Sequence, residues 1–371
     1  MSERRKPRRL LIVKLADLGD AVLLTAAVNA ASTSLPQYDL DLLLGLAGVP
    51  VFEHDSRVHK VWAFDRHLIA GRRALSPRSL LAWGRLLWSL RRERYDAVIL
   101  AHHMTTMFGT LKLASLALAC GAPVRVGLDN GRGWFLNMRY PDGGHGAVCE
   151  GAYWVRLVGV LARRPVRGRL SLQVDPAAEH RASDLLPDPV ERPLVAIHHA
   201  LGGWMPSRAW TPDGYARVAD VLHSRLGGTL LLIGGSEERA AAEEVAHLVR
   251  APVRVLAGET DVQTLMALLR RCDLYLGPDS GVMHLAEALQ VPIVSLWGPT
   301  NEAAWGPCEE IGAGRAICLR AANRPEPWVY VRHRMGDPYR ASDLGDLAPE
   351  VVAEAAIKLL RDSGTPSGGR N

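Results

Sequence analysis

The segment Leu276-Gly-Pro-Asp-Ser-Gly-Val-Met-His-Leu-Ala-Glu-Ala-Leu-Gln-Val-Pro-Ile-Val-Ser-Leu-Trp-Gly-Pro-Thr300 decides the fold class. Two apolar runs, at 273–277 and 291–297, predict buried strands, and a helical pattern begins between them near Gly281. A strand, a helix and a second strand in this order form one unit of a parallel sheet. A carboxylate, a hydroxyl and a histidine follow the first strand, which places polar chemistry at the carboxyl edge of that sheet.

The same alternation runs through both halves of the chain. Apolar strands are predicted at 9–15, 40–44, 60–64 and 95–100 in the first half and at 194–198, 229–233 and 253–256 in the second. Helical patterns occupy 21–31, 79–92, 212–226, 236–249, 264–271 and 348–361. These elements predict an α/β protein with two Rossmann-like, doubly wound domains that face each other across a cleft. A length of 371 residues also favours two domains.

The density of proline and charge rises between the two halves, as in an interdomain linker. We expect an N-terminal domain over 1–175, a linker over 176–192 and a second domain over 193–345. A closing helix is expected over 346–361, followed by a disordered Gly/Ser-rich tail over 362–371.

The composition indicates an ordinary globular protein, with 48% hydrophobic and 22% charged residues. The five cysteines are scattered without a CxxC pair, so we expect free thiols and a cytoplasmic location, with neither a zinc site nor a disulfide framework. The formal charge of +5 comes from basic residues that are spread along the chain, without the aromatic interleaving of a groove that binds single-stranded nucleic acid. This distribution predicts no nucleic-acid partner, and it suits an anionic substrate or an anionic membrane face.

The polar turn between the two opening strands is the first predicted binding site. Asp279, Ser280 and Gly281 lie where a helix needs its cap, and the free backbone N–H groups at such a helix end bind anions. A simple capping role is the alternative. His284, one helical turn further on, and Thr300, in the turn after the next strand, converge on the same sheet edge. We therefore predict that this edge holds an anionic ligand, with Asp279 on its hydroxyl groups.

Three segments, 256–260, 275–284 and 296–306, resemble the C-terminal half of glycosyltransferase family 9, the heptosyltransferases. These enzymes move heptose from ADP-heptose onto lipopolysaccharide core. The segment 10–20 is similar to the family's first strand and its Leu-Gly-Asp turn, and the resemblance extends over about 9–360. It implies a GT-B fold, an inverting mechanism, no cofactor and no required metal. It also implies a nucleotide-sugar donor and a glycan or glycolipid acceptor.

The resemblance assigns roles to several residues. Asp20 corresponds to the family's general base, which removes the proton of the acceptor hydroxyl; a cap for the following helix is the alternative. Arg208 takes the position of a phosphate-binding lysine, although a surface arginine is also expected there. Ser236 and Glu237 match the segment that holds the ribose and base, although any strand-to-helix turn has a similar sequence.

On the acceptor side, Arg66, Arg72 and Arg73 lie where family members carry basic residues for an anionic acceptor, and a solvated surface explains them equally well. His102 falls on the same side, in a sequence that departs from the family pattern. Another polysaccharide or a small natural product therefore stays open as the acceptor. The helical pattern at 79–92 combines tryptophan with arginine, which suits either a core-facing helix or peripheral association with the inner face of a membrane.

Two other classes of protein are weighed against a glycosyltransferase. A dinucleotide oxidoreductase needs a G-x-G-x-x-G turn after its first strand, and the residues at 14–20 lack one. A non-catalytic nucleotide-sugar-binding protein has no need of both Asp20 and the motif at Asp279. The sequence therefore predicts an inverting glycosyltransferase that moves a heptose or a related sugar from ADP-heptose to a glycan hydroxyl, with lipopolysaccharide core as the first candidate.

Overall fold

The computed structural model describes residues 7–199, 210–298, 300–321 and 344–363, which fall into two units. The first unit contains the chain up to Gln173 together with the short segment Glu310–Gly312, and the second contains the other described residues. The domain limits proposed from the sequence stay a prediction. The helix Pro176–Asp184 lies within the predicted linker.

A six-stranded, fully parallel sheet forms the centre of the first unit, in the order β3-β2-β1-β4-β5-β6. Its strands are β1 (Arg8–Lys14), β2 (Tyr38–Gly45), β3 (Lys60–Phe64), β4 (Ala97–Leu100), β5 (Val124–Asp129) and β6 (Met138–Pro141). The order is that of a Rossmann fold, in which the strand sequence reverses between the first and fourth strands.

The second unit repeats this topology with the order β12-β11-β10-β7-β8-β9. Its strands are β7 (Leu194–His198), β8 (Thr229–Ile233), β9 (Val253–Val255), β10 (Leu274–Pro278), β11 (Ile293–Trp297) and β12 (Ala316–Arg320). All of its strand pairs are parallel, and the strand order reverses between β7 and β10. The predicted α/β class with two doubly wound, Rossmann-like units is confirmed.

Helices cover both sheets, because parallel sheets are stable only when both faces are buried. The helices are α1 (Leu18–Ser34), α2 (Val49–Phe52), α3 (Pro77–Glu93), α4 (Met107–Ala119), α5 (Glu150–Ala162), α6 (Pro176–Asp184), α7 (Pro212–Leu226), α8 (Arg239–Leu248), α9 (Val262–Arg270), α10 (Gly281–Ala288), α11 (Glu302–Trp305) and α12 (Pro349–Ser363). β4, β7 and β10 are buried at every residue, as their continuous apolar runs predict. Among the helices in the described ranges, none has the length and apolar character needed to cross a membrane.

Two expectations from the sequence need correction. Free thiols are found at Cys120, Cys272 and Cys318, but Cys149 and Cys308 are disulfide-bonded. The predicted disordered tail is wrong for its first two residues, because α12 continues to Ser363. The rest of that tail, from residue 364, lies outside the described residues.

Candidate functional site

The carboxyl ends of β1 and β4 form the edge of the first sheet where its strand order reverses. Ligands of open α/β sheets bind at such an edge. The segment after β1 contains Asp17 and Asp20, and the segment after β4 contains His102 and His103. The backbone N–H of Leu15 donates a hydrogen bond to Nε2 of His102 at 2.8 Å, which ties the two segments together.

Asp20 lies in the first turn of α1 and not at its cap. The N-cap of α1 is Asp17, so the alternative assignment of Asp20 as the helix cap is wrong. Oδ1 of Asp20 lies 3.0 Å from Nζ of Lys14, and the Asp20 side chain keeps 28% of its surface exposed. Lys14 itself is buried and lies over the ring of Trp154, at 4.1 Å from the ring centroid. The ion pair and the cation–π contact hold this carboxylate in place at the sheet edge.

The predicted acceptor residues differ in their surroundings. The Arg66 guanidinium lies 2.7 Å from the carboxylate of Asp17, so Arg66 reaches the turn that carries Asp20. Arg73 is exposed, and the side chain of Arg72 lies outside the description. Nε2 of His102 accepts the hydrogen bond from Leu15, which requires a neutral ring, and burial followed by the charge of Lys14 lowers the pKa of His102 well below its ordinary value. Acceptor binding by these residues stays a prediction.

A buried cluster of four ionisable side chains adjoins His102 and was not identified from the sequence. His103 contacts Asp142 through Nδ1 and Glu150 through Nε2, each at 2.9 Å, and Nδ1 of His145 lies 2.8 Å from Glu150. Burial opposes a charge on His103, but the two carboxylates outweigh it and raise the pKa of His103 to about 9. A sequence signal existed, since the run Asp142-Gly-Gly-His145 places a carboxylate and a histidine in a Gly-rich turn four residues before α5.

The corresponding edge of the second sheet lies after β7 and β10. His198 ends β7, and its Nδ1 lies 3.2 Å from Oγ of Ser280 while its Nε2 lies 3.3 Å from Oε2 of Glu238. Ser280 is the N-cap of α10, because its Oγ accepts a hydrogen bond from the backbone N–H of Met283. Asp279 is buried beside it. The predicted turn therefore joins the start of α10 to β7 through His198.

Glu238, the neighbour of the predicted donor-binding residue Glu237, turns inward at this edge. Oε2 of Glu238 accepts a hydrogen bond from the N–H of Gly235 at 2.8 Å, whereas Ser236 and Glu237 are exposed after β8. Burial raises the pKa of Glu238, but the hydrogen bonds from His198 and Gly235 prevail and lower it to about 2.

Two other residues predicted to bind the nucleotide-sugar donor, His284 and Thr300, are both buried but differ in their hydrogen bonding. His284 is 3% exposed, and its Nδ1 lies 3.1 Å from Glu287, which is fully buried. This pairing accounts for His284 as a core residue, so its contact with a ligand stays a prediction. Thr300 is 2% exposed, and within the described ranges its Oγ1 has no hydrogen-bond partner. Nδ1 of His199, directly after β7, is likewise buried and unpaired among the described residues. Arg208 lies outside the described residues.

The family model of glycosyltransferase family 9 (heptosyltransferase) matches residues 83–327, which is more than half of the chain. This chain belongs to glycosyltransferase family 9. Lipopolysaccharide heptosyltransferase 2 of Salmonella typhimurium is 24% identical over 385 residues, covering 96% of this chain and 99% of that protein.

Solved structures of glycosyltransferase family 9 share the fold. The family 9 glycosyltransferase from Veillonella parvula DSM 2008 aligns with a TM-score of 0.77 at 21% identity, covering 96% of this chain and 97% of that one. The Escherichia coli ADP-heptose lipopolysaccharide heptosyltransferase II aligns with a TM-score of 0.72 at 21% identity, covering 96% and 99%. The predicted GT-B type of fold and the assignment as a glycosyltransferase enzyme are both confirmed.

Proposed function

We propose that this enzyme transfers a heptose, or a closely related sugar, from ADP-heptose to a hydroxyl of lipopolysaccharide core, with inversion at the anomeric carbon. Membership of family 9 supports heptosyl transfer, and the relatives named above from Salmonella typhimurium and Escherichia coli are lipopolysaccharide heptosyltransferases. The observation that carries the proposal is the partly exposed carboxylate of Asp20, held by the buried Lys14 where the strand order of the first sheet reverses.

The proposed reaction needs a base, because a sugar hydroxyl is a poor nucleophile until its proton is removed. Asp20 takes that proton while the acceptor oxygen forms a bond to the anomeric carbon and the bond from that carbon to the ADP phosphate breaks. One direct displacement of this kind inverts the anomeric configuration. Lys14 fixes the carboxylate through the contact at 3.0 Å and leaves part of it exposed to the acceptor.

The donor site is proposed at the second sheet. The N-terminus of α10 offers free backbone N–H groups to the diphosphate, and Gly281 as the first helical residue permits close approach. The hydroxyl of Thr300, which has no hydrogen-bond partner among the described residues, is a further donor for a phosphate oxygen. We propose that Asp279 and the exposed Ser236 and Glu237 accept hydrogen bonds from sugar and ribose hydroxyls. Arg208 and His284 complete the set predicted from the resemblance, and no metal is required for transfer.

We propose that arginine side chains of the first unit bind the anionic groups of the acceptor. Arg66 and the exposed Arg73 follow β3, and Arg66 already pairs with a carboxylate at the edge of the sheet. Guanidinium groups bind phosphate and carboxylate oxygens in pairs, which suits the anionic inner core of a lipopolysaccharide. Arg72 and His102 belong to the same proposed acceptor surface.

Peripheral membrane association at the inner face is a further part of the proposal, and the helices α3 and α4 support it. Trp83 points inward, since its ring meets Phe64 and its Nε1 donates to Ser115 of α4. The outward face of the two helices carries large apolar side chains that are each at least 43% exposed: Leu80, Leu81, Trp88, Met107, Phe108, Leu111 and Leu118. α3 also carries the exposed Arg78, Arg85, Arg91 and Arg92, and its acidic residue is the last one, Glu93. An apolar face flanked by arginine binds an anionic lipid surface.

The transfer reaction is tested directly with purified enzyme, ADP-heptose and a lipopolysaccharide core that lacks heptose. We expect mass spectrometry to show one added heptose and NMR to show the inverted anomer. Parallel reactions with UDP- and GDP-sugars, and with a polysaccharide acceptor in place of the core, cover the alternatives. Binding of ADP-heptose without ADP release under any acceptor condition would contradict the assignment as a transferase of this kind.

The membrane proposal is tested by flotation with vesicles. The wild type is expected to float with vesicles rich in anionic lipid and to float less with purely zwitterionic ones. Leu81→Glu and Trp88→Glu should each reduce flotation by removing exposed apolar area and adding negative charge. Leu248→Glu is the matched control, since Leu248 is exposed on α8 of the second unit. An equal loss of flotation in the control would exclude α3 as the membrane-binding face.

A further inference from the structure

We propose that His103, His145 and Glu150 bind a divalent transition-metal ion of the zinc class, with Asp142 orienting His103. The three ligand atoms, one from each residue, all lie within 4.8 Å of one another. This inference is separate from the transfer reaction, which the proposed function assigns to Asp20.

The spacing of the ligand atoms fits one small ion. Nε2 of His103 and Nδ1 of His145 lie 2.9 and 2.8 Å from the same oxygen, Oε1 of Glu150. Zinc binds imidazole nitrogen and carboxylate oxygen at about 2.0–2.2 Å, so tetrahedral ligands lie about 3.3 Å apart. Separation of these contacts by a few tenths of an ångström therefore opens a position for the ion. The ion would replace the proton that His103 and Glu150 share, and that proton would be released to solvent.

Asp142 supplies the second layer of contacts that metal-binding histidines have in proteins. Its Oδ1 lies 2.9 Å from Nδ1 of His103 and accepts the backbone N–H of Gly144 at the same distance. A proton held on Nδ1 by a carboxylate leaves the lone pair of Nε2 directed at the ion.

The surroundings bury the three ligand side chains and hold them in place. The side chains of His103, His145 and Glu150 are only 4%, 10% and 2% exposed. The rings of Tyr153 and Trp154 meet His103 edge-on, with centroids 5.2 and 5.6 Å away. The three ligands come from the segment after β4, the turn after β6 and the first residue of α5, so a bound ion would join three separate segments.

The ligand set decides the class of ion. Two imidazoles and one carboxylate favour zinc and its transition-metal neighbours, whereas magnesium and calcium prefer oxygen ligands alone. The two carboxylates of the cluster also offset the positive charge of the buried ion. The positive charge of Lys14 acts on Glu150 and offsets part of this negative charge.

The test uses the full chain without a histidine tag, grown with added zinc. Elemental analysis is expected to find about one zinc per chain, and chelation should lower the melting temperature until zinc is restored. Cobalt is the spectroscopic probe, and the wild type should show the visible absorption of a four- or five-coordinate Co²⁺ complex. This test on the wild type does not depend on whether any variant folds. Magnesium should change neither the spectrum nor the melting temperature.

Three variants test whether the metal binds at this cluster. His145→Ala should abolish the cobalt spectrum, and Asp142→Asn should weaken zinc binding by about 10- to 100-fold. His247→Ala is the control, because His247 is exposed on α8 and should leave zinc binding unchanged. A metal-free wild type with no response to zinc or cobalt would overturn the proposal and leave the cluster as an ion-pair network. Loss of binding in the His247 variant would assign the metal to the surface and overturn it as well.

Discussion

Replacement of Asp20 by asparagine separates catalysis from folding more sharply than any other single change. Asparagine keeps the shape of the side chain and an oxygen that Nζ of Lys14 can still contact, but it cannot accept a proton. General-base contributions run about 10²- to 10⁴-fold, so kcat should fall by that factor, or about 3–5 kcal/mol of transition-state stabilisation. The loss belongs to the transition state, and the Kd for ADP should stay within about twofold.

The structure also predicts a cost in stability for Asp20→Asn. Lys14 is 5% exposed, and the substitution removes the carboxylate that pairs with it. Removal of one partner from a fully buried pair costs about 3–5 kcal/mol, and the partial exposure of Asp20 and the remaining amide oxygen reduce this to about 1–2 kcal/mol. Such a change lowers the melting temperature of a domain of this size by only a few degrees. The variant should therefore stay folded at assay temperature.

The assay measures turnover at saturating ADP-heptose, with Asp17→Asn as the matched control. Asp17 stands in the same turn, but it is 51% exposed and pairs with Arg66 on the surface. Exposed pairs contribute about 0–1 kcal/mol, so this variant should keep its stability and most of its kcat. Near-normal turnover of Asp20→Asn, or an equal loss in the Asp17 variant, would refute the assignment of Asp20 as the base.

Three further changes test the donor site and the fold. Gly281→Val should weaken ADP binding by about 1–3 kcal/mol, because a side chain at the start of α10 crowds the phosphates. Calorimetry measures the affinity, and an unchanged value would show that the turn serves only as a helix cap. Glu238→Gln should make the free energy of unfolding depend less on pH below pH 4.5. The pKa of Glu238 is about 2 in the folded protein and 4.5 when unfolded, which stabilises the wild type by up to about 3 kcal/mol. This contribution is present above pH 4.5 and is lost as the pH falls towards 2. Urea unfolding at several pH values checks this, and parallel curves for the two proteins would exclude the His198 contact as its source. Tyr95→Phe should cost about 1–3 kcal/mol in urea unfolding, because the Tyr95 hydroxyl donates to the buried Asp41 at 2.6 Å, and an unchanged midpoint would contradict this.

The central strands were predictable because burial on both faces leaves a continuous apolar run in the sequence. β3, β7 and β8 have the predicted limits, and most other predicted strands differ from the structure by one or two residues. β5, β6 and β12 were not predicted: Arg125 and Gly127 interrupt the apolar run of β5, and β6 and β12 lie at sheet edges and are partly exposed. Edge strands take their conformation from a neighbouring strand, and a single-sequence pattern does not record that neighbour.

The candidate site also has a part that could be predicted from the sequence and a part that could not. Asp20, Ser280 and Gly281 stand in motifs that follow predicted strands, so the sequence locates them at the sheet edges. Their partners could not be predicted, because contacts such as that of Lys14 with Asp20 depend on where α1 begins. The cluster around His103 depends on two unpredicted strands, β5 and β6, whose pairing brings the turn after β6 to the end of β4.

The pairing of β1 with β4 has a consequence for how the chain folds during synthesis. Leu10 pairs with Ala97, so the two halves of the first sheet can join only after nearly a hundred residues have left the ribosome. Closure of so long a loop is slow, and the apolar edge of β1 stays open to other chains until it occurs. The contact of Leu15 with His102 belongs to this step, so the sheet edge that carries Asp20 is completed only after residue 102 has been made. Slower synthesis at low temperature should therefore raise the yield of active enzyme more than it raises the yield of total protein.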